Sequence, residues 1–148
     1  MTVEFNKISV IGLGYVGLPT AAVIANRGID VLGVDVNSET VETINRGDIH
    51  IVEPDLDILV RSAVSSGKLN AATAPEPADA FIIAVPTPFK VDHKPDLTFL
   101  EQATKALAPV LAKGNLVVLE STSPVGTTAQ IAEWLAEARP DLSFPASE

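Results

Sequence analysis

Residues 12 to 17 carry three glycines, Gly12, Gly14 and Gly17, in the spacing G-x-G-x-x-G, and an acid, Asp35, follows eighteen residues after the last of them. Residues of these types at this spacing can hold a dinucleotide. Gly12 permits a tight turn, Gly14 has no side chain to keep a pyrophosphate off the backbone, and Gly17 lets the following helix pack close to the preceding strand. A helix that opens there offers N–H groups and a partial positive charge to phosphate. Asp35 would accept hydrogen bonds from the adenosine ribose hydroxyls and would repel a 2′-phosphate. The next residues, Val36 and Asn37, include no arginine to receive one, so NAD is expected rather than NADP. The same glycines would also suit a turn in an α/β protein that binds nothing, and the elements around them must decide.

Those elements are legible. "KISVI", Lys7–Ile11, is short, β-branched and apolar, as a buried parallel strand should be. Pro19 stands in the first turn of a helix through "TAAVIANR", closed by Gly28. "DVLGV", Asp30–Val34, is a second strand and delivers Asp35 at its end. Asn37 or Ser38 caps a helix over "ETVETINR", with Gly47 after it. A loop, "DIHIVEPD", leads to an amphipathic helix over 55–66. "LNAAT" and Ala80–Val85 read as strands, separated from a helix over Leu97–Lys113, kinked at Pro109, by the proline-rich loop "PTPFKVDHKPD". "LVVLE", Leu116–Glu120, is a further buried strand, and Thr127–Arg139 a final helix. Alternating strands and helices predict a Rossmann-type doubly wound parallel sheet, in three α/β/α layers with right-handed crossovers.

The 148 residues make one ordinary domain, 47% hydrophobic and 20% charged, with no low-complexity tract. A net charge of −9 argues against a nucleic-acid partner. No apolar run approaches the roughly 18 residues of a membrane span, and "MTVEFNK" has no secretory pattern; a cytoplasmic protein is expected. There is no cysteine, which removes disulfides, thiolate metal sites and a thiol nucleophile. His50, Glu53, Asp55 and Asp57 are close in sequence, but one histidine among scattered carboxylates matches no common ligand spacing, and no metal is expected. Glu120 could serve as a base in principle, but such a residue is more often simply the polar end of a buried strand. Trp134 is expected in the core.

The run "ISVIGLGYVGLPTA…GVDVN…INRG…EPDL", continued by "IIAVPTPF", "KPDLTFLE" and "LESTSPVGTT", resembles the N-terminal NAD-binding domain of the UDP-glucose/GDP-mannose dehydrogenase family over essentially the whole chain. Within that family the loops "HIVEPDL" and "AVPTPF" are most similar to the branch that oxidises UDP-N-acetyl-D-mannosamine. The resemblance implies an enzyme that converts a sugar C6 alcohol to a carboxylate with two NAD, through a cysteine held outside the matching region. The chain is accordingly expected to be a truncated part, with the central helical domain and the C-terminal UDP-sugar-binding domain absent, and inactive alone. The implied cofactor contacts are Gly12, Gly14, Tyr15, Val16, Gly17, Asp35, Thr87 and Thr128. Thr122 matches a threonine that helps place the hydrolytic water in such enzymes. The alternatives are a non-catalytic nucleotide-binding module, a UDP-glucose or UDP-N-acetylglucosamine 6-dehydrogenase domain, and a 3-hydroxyacid-type dehydrogenase domain, which "VPTPF" and "ESTSPVG" do not fit. In enzymes of this resemblance dimers form mainly through a central helical region outside this chain, so an oligomer is possible in the complete enzyme and a dimer is not inferred from these residues.

Overall fold

The computed structural model describes residues 4–146. Five strands, β1 (Lys7–Ile11), β2 (Asp30–Val34), β3 (Leu69–Ala72), β4 (Ala80–Ile83) and β5 (Leu116–Leu119), form one sheet in the order β3-β2-β1-β4-β5. All four pairings are parallel, with Val10 opposite Gly33 on one side and Ile82 on the other. Five helices connect and follow them: α1 (Gly17–Asn26), α2 (Ser38–Asn45), α3 (Leu56–Ser65), α4 (Thr98–Leu107) and α5 (Thr127–Ala138).

Strand alternation sends successive side chains to opposite faces, and two cores result. Val10, Val31 and Leu69 meet α1, α2 and α3 on one face, while Ile11, Leu32, Phe81 and Ile83 meet α4 and α5 on the other. Together they make the three layers that the alternating pattern predicts. Helix α1 buries Gly17, Leu18, Ala21, Ala22 and Ala25. Apart from Leu18 these are small, so the helix can lie close to the sheet. Trp134 packs half-buried against the second core.

The strand ends agree with the sequence reading to within two residues, and the helix ends differ for identifiable reasons. Helix α1 starts at Gly17, because Pro19 is tolerated in the first turn, where its missing N–H is not needed. The helix expected over Leu97–Lys113 stops at Leu107 and tightens into a 3₁₀ turn, Ala108–Val110. Pro109 cannot donate to the carbonyl four residues back. Two of the carbonyls there, Ala108 and Leu111, instead accept from the Arg139 guanidinium at 2.9 and 2.7 Å. Asn37 is the N-cap of α2, its side chain accepting from the Glu39 and Thr40 amides. The segment after β4 is a loop, as expected, though pinned by a single antiparallel bridge between Phe89 and Pro95.

The two sheet edges differ. On β3 the Asn45 side chain bonds both the N–H and the C=O of Ala71, at 2.8 and 3.0 Å. On β5, Leu116 and Val118 stay partly exposed, at 47% and 38%. No helix among the described residues is long and apolar enough to cross a membrane.

A candidate cofactor site at the β1–β4 crevice

The sheet order reverses direction between β1 and β4, and open parallel sheets bind ligands at the carboxyl ends of their strands at such a point. The glycine loop lies there, between β1 and α1. Gly12 has φ +99°, and a Cβ on it would stand 2.7 Å from the Ala84 carbonyl oxygen. A Cβ on Gly17 would stand 1.7 Å from the Gly12 carbonyl oxygen, so the helix start and the turn are in backbone contact. Gly14 is different: a Cβ there would meet no protein atom within 4 Å. Two of the glycines are thus required by the protein itself. The third leaves open space beside the backbone, which is what a phosphate cradle needs. Tyr15 and Val16 are exposed on the loop, at 65% and 49%.

Asp35 is held in place from both sides. Its Oδ2 accepts the Leu13 N–H at 3.0 Å and its Oδ1 the Asn37 N–H at 2.9 Å, while its own N–H donates to Ala72. The carboxylate therefore joins the glycine loop to the end of β2, and each oxygen keeps lone-pair capacity for a ribose hydroxyl. Val36, next to it, is 94% exposed and Asn37 is committed to its cap, so neither residue after Asp35 offers a cation to a 2′-phosphate. Gly33 was not singled out by sequence reasoning, yet it shapes the loop. A Cβ on it would come within 2.8 Å of the Leu13 side chain, which is fully buried above β2.

At the other strand ends, Thr87 and Thr122 come together: the Thr87 hydroxyl donates to the Thr122 carbonyl oxygen. The Thr122 side chain itself is exposed. Ser121, beside the threonine that the sequence drew attention to, donates to the Val85 carbonyl at 2.7 Å and ties the same two loops. Thr128 stands in the first turn of α5. It lines a groove of about 600 Å³ between β5 and α5, with Leu116, Val117, Ile131 and Phe144, and no glycine-loop residue shares that lining. Thr98, at the start of α4, holds the Asp96 carboxyl below the usual carboxylate range, chiefly by a hydroxyl hydrogen bond and then by its amide.

A sheet of this order, with the glycine loop after β1 and an anchored acid after β2, is a dinucleotide-binding domain of the Rossmann type. Residues 6–147 match the model of the UDP-glucose/GDP-mannose dehydrogenase family, NAD binding domain, and the chain belongs to that family. Its cofactor is NAD. It is 69% identical over 142 residues to a UDP-N-acetyl-D-mannosamine dehydrogenase of Yersinia pestis, covering 96% of this chain and 34% of that one. An NDP-N-acetyl-D-galactosaminuronic acid dehydrogenase of Ralstonia nicotianae is 64% identical over 143 residues, covering 97% and 34%. The UDP-D-ManNAc dehydrogenase structure from Pyrococcus horikoshii superposes with a TM-score of 0.89 at 41% identity, covering 95% of this chain and 34% of that chain. The chain spans about a third of the length of these relatives, 34% in each case.

Proposed function

We propose that this chain is the cofactor-holding part of a nucleotide-sugar 6-dehydrogenase, and that the complete reaction converts UDP-N-acetyl-D-mannosamine to UDP-N-acetyl-D-mannosaminuronate for surface polysaccharide synthesis in the cytoplasm, where the soluble NAD pool is held. The observation that carries the cofactor half is Asp35, whose two oxygens are oriented by the Leu13 and Asn37 amides beside an open Gly14. The sugar half rests on the 69% identity to the mannosamine enzyme. A second reading, an N-acetylgalactosaminuronate, is favoured by the 64% relative.

In this reading Gly12 and Gly17 shape the turn. Gly14, Tyr15 and Val16 offer backbone to the pyrophosphate, and Asp35 orients the ribose. Thr87 and Thr128 serve the far end of the cofactor. Thr122, fixed through its carbonyl by Thr87, faces the reaction centre. NAD, when bound, supplies the hydride acceptor. Covalent thiol chemistry belongs to residues outside these 148, which include no cysteine.

The test is a calorimetric titration of the purified chain with NAD and with NADP. NAD should bind more tightly, and Asp35→Ala should remove the preference. Equal binding of both cofactors by the unsubstituted chain would overturn the role of Asp35. NADH production from a UDP-sugar by this chain alone would overturn the assignment of the chemistry to other residues.

A further inference from the structure

Glu120 directly follows β5, and the cofactor reading leaves it without a task. Its backbone N–H extends the sheet ladder to the Ile83 carbonyl at 2.9 Å, so the residue is fixed to β4. Its side chain is part-buried. Oε1 lies 2.5 Å from the Thr20 hydroxyl, in the first turns of α1, a hundred residues away in sequence. The same hydroxyl stands 3.0 Å from the carbonyl of Val16, the N-cap residue of α1. A threonine hydroxyl has one proton to give. The contact to the carboxylate falls in the range of charge-assisted O–H···O⁻ bonds, about 2.5–2.7 Å, and is the stronger of the two. The pair therefore links two loops that otherwise approach from opposite sides of the crevice. One is the glycine loop with Tyr15 and Val16. The other, immediately after Glu120, contains Ser121 and Thr122, which are bound to the β4 exit through Val85 and Thr87.

We infer that Glu120 is a positioning residue for the cofactor site: through Thr20 it holds the opening turn of α1 at a fixed distance from the Thr87–Thr122 side of the crevice. This rests on the NAD reading above and names a residue that the glycine fingerprint does not contain. Its action is through Thr20, with no contact to the cofactor required.

NAD affinity is measured by calorimetry on the chain as it stands, beside its melting temperature. Thr20→Val removes only the hydroxyl and keeps the shape, and it should weaken NAD binding about tenfold, the effect of one hydrogen bond to a charged group. Glu120→Ala should do the same. Glu120→Gln retains an acceptor and should restore most of the affinity. The double variant should be no weaker than either single one, because both remove one shared bond. If Glu120→Ala does not fold, Thr20→Val and Glu120→Gln still decide the matter. Unchanged NAD affinity in Thr20→Val, whatever its melting temperature, would overturn the inference while leaving NAD binding intact. If the unsubstituted chain bound no NAD, the cofactor reading and this inference would both fall.

Discussion

Two of the loop glycines make opposite predictions, and the pair separates folding from binding. In Gly17→Ala the new Cβ starts 1.7 Å from the Gly12 carbonyl oxygen and must retreat to at least 3.0 Å, a movement of about 1.3 Å of backbone against backbone. No side chain can rotate away to relieve it. Overpacking of this kind costs about 3 kcal/mol, which for a domain of this size lowers the melting temperature by about 10 °C. In Gly14→Ala the new methyl meets nothing within 4 Å, so the fold should change by less than about 0.5 kcal/mol. In the proposed reading that methyl occupies the space left for a pyrophosphate, and NAD should bind at least about tenfold more weakly, a loss of about 1.4 kcal/mol. Differential scanning calorimetry and an NAD titration on both variants give four readings. A Gly14→Ala chain that binds NAD normally would refute the phosphate cradle. A Gly17→Ala chain that melts like the unsubstituted one would refute the backbone contact.

Further outcomes follow from groups away from the crevice. The Asp79 carboxyl is held below its ordinary value of 3.8, first by the Lys7 amide and then by the Asn6 amide. Because the folded value is the lower one, its stabilisation is present above 3.8 and disappears as the pH falls through the folded value. Asp79→Asn should therefore lower the melting temperature at neutral pH, with a gap that closes in acid; a gap constant with pH would contradict this. The Ser9 hydroxyl is fully buried in β1 without a hydrogen-bond partner among the described residues. Ser9→Ala should raise stability by about 1 kcal/mol in urea unfolding, and a loss of similar size would show that the hydroxyl is satisfied.

The parts of this fold that were readable from sequence are those governed by local chemistry. Strands β1 and β2 announce themselves because a strand buried on both faces must be apolar throughout. Asp35 was legible because the end of β2 fixes where an acid must stand relative to the glycines. The contacts that complete the site were not legible, since each joins residues far apart in sequence. Leu13 settles over Gly33, Thr87 meets the Thr122 carbonyl, and Thr20 reaches Glu120. The residue types were visible in the motifs, but nothing in a motif says which hydroxyl finds which acceptor. The left-handed φ of 63° at Asp55 was equally hidden. Asp55 is the N-cap of α3, in a conformation that glycine adopts without a steric penalty.

Every strand pairing in this sheet is parallel, so no hairpin can seed it. The seam between β1 and β4 joins Ile8 to Ala80, across the entire β2–β3 half of the domain. A ribosome would deliver β1, β2 and β3 with their helices before β4 exists. The first half can assemble on its own side of that seam with the glycine loop and Asp35 already in it. The crevice, however, has only one wall until β4 and β5 arrive. The proposed cofactor site is thus the junction of an early and a late half of the chain, and non-local pairing of this sort is slow to form. A bound dinucleotide would bridge that junction and stabilise the last part of the domain to come together.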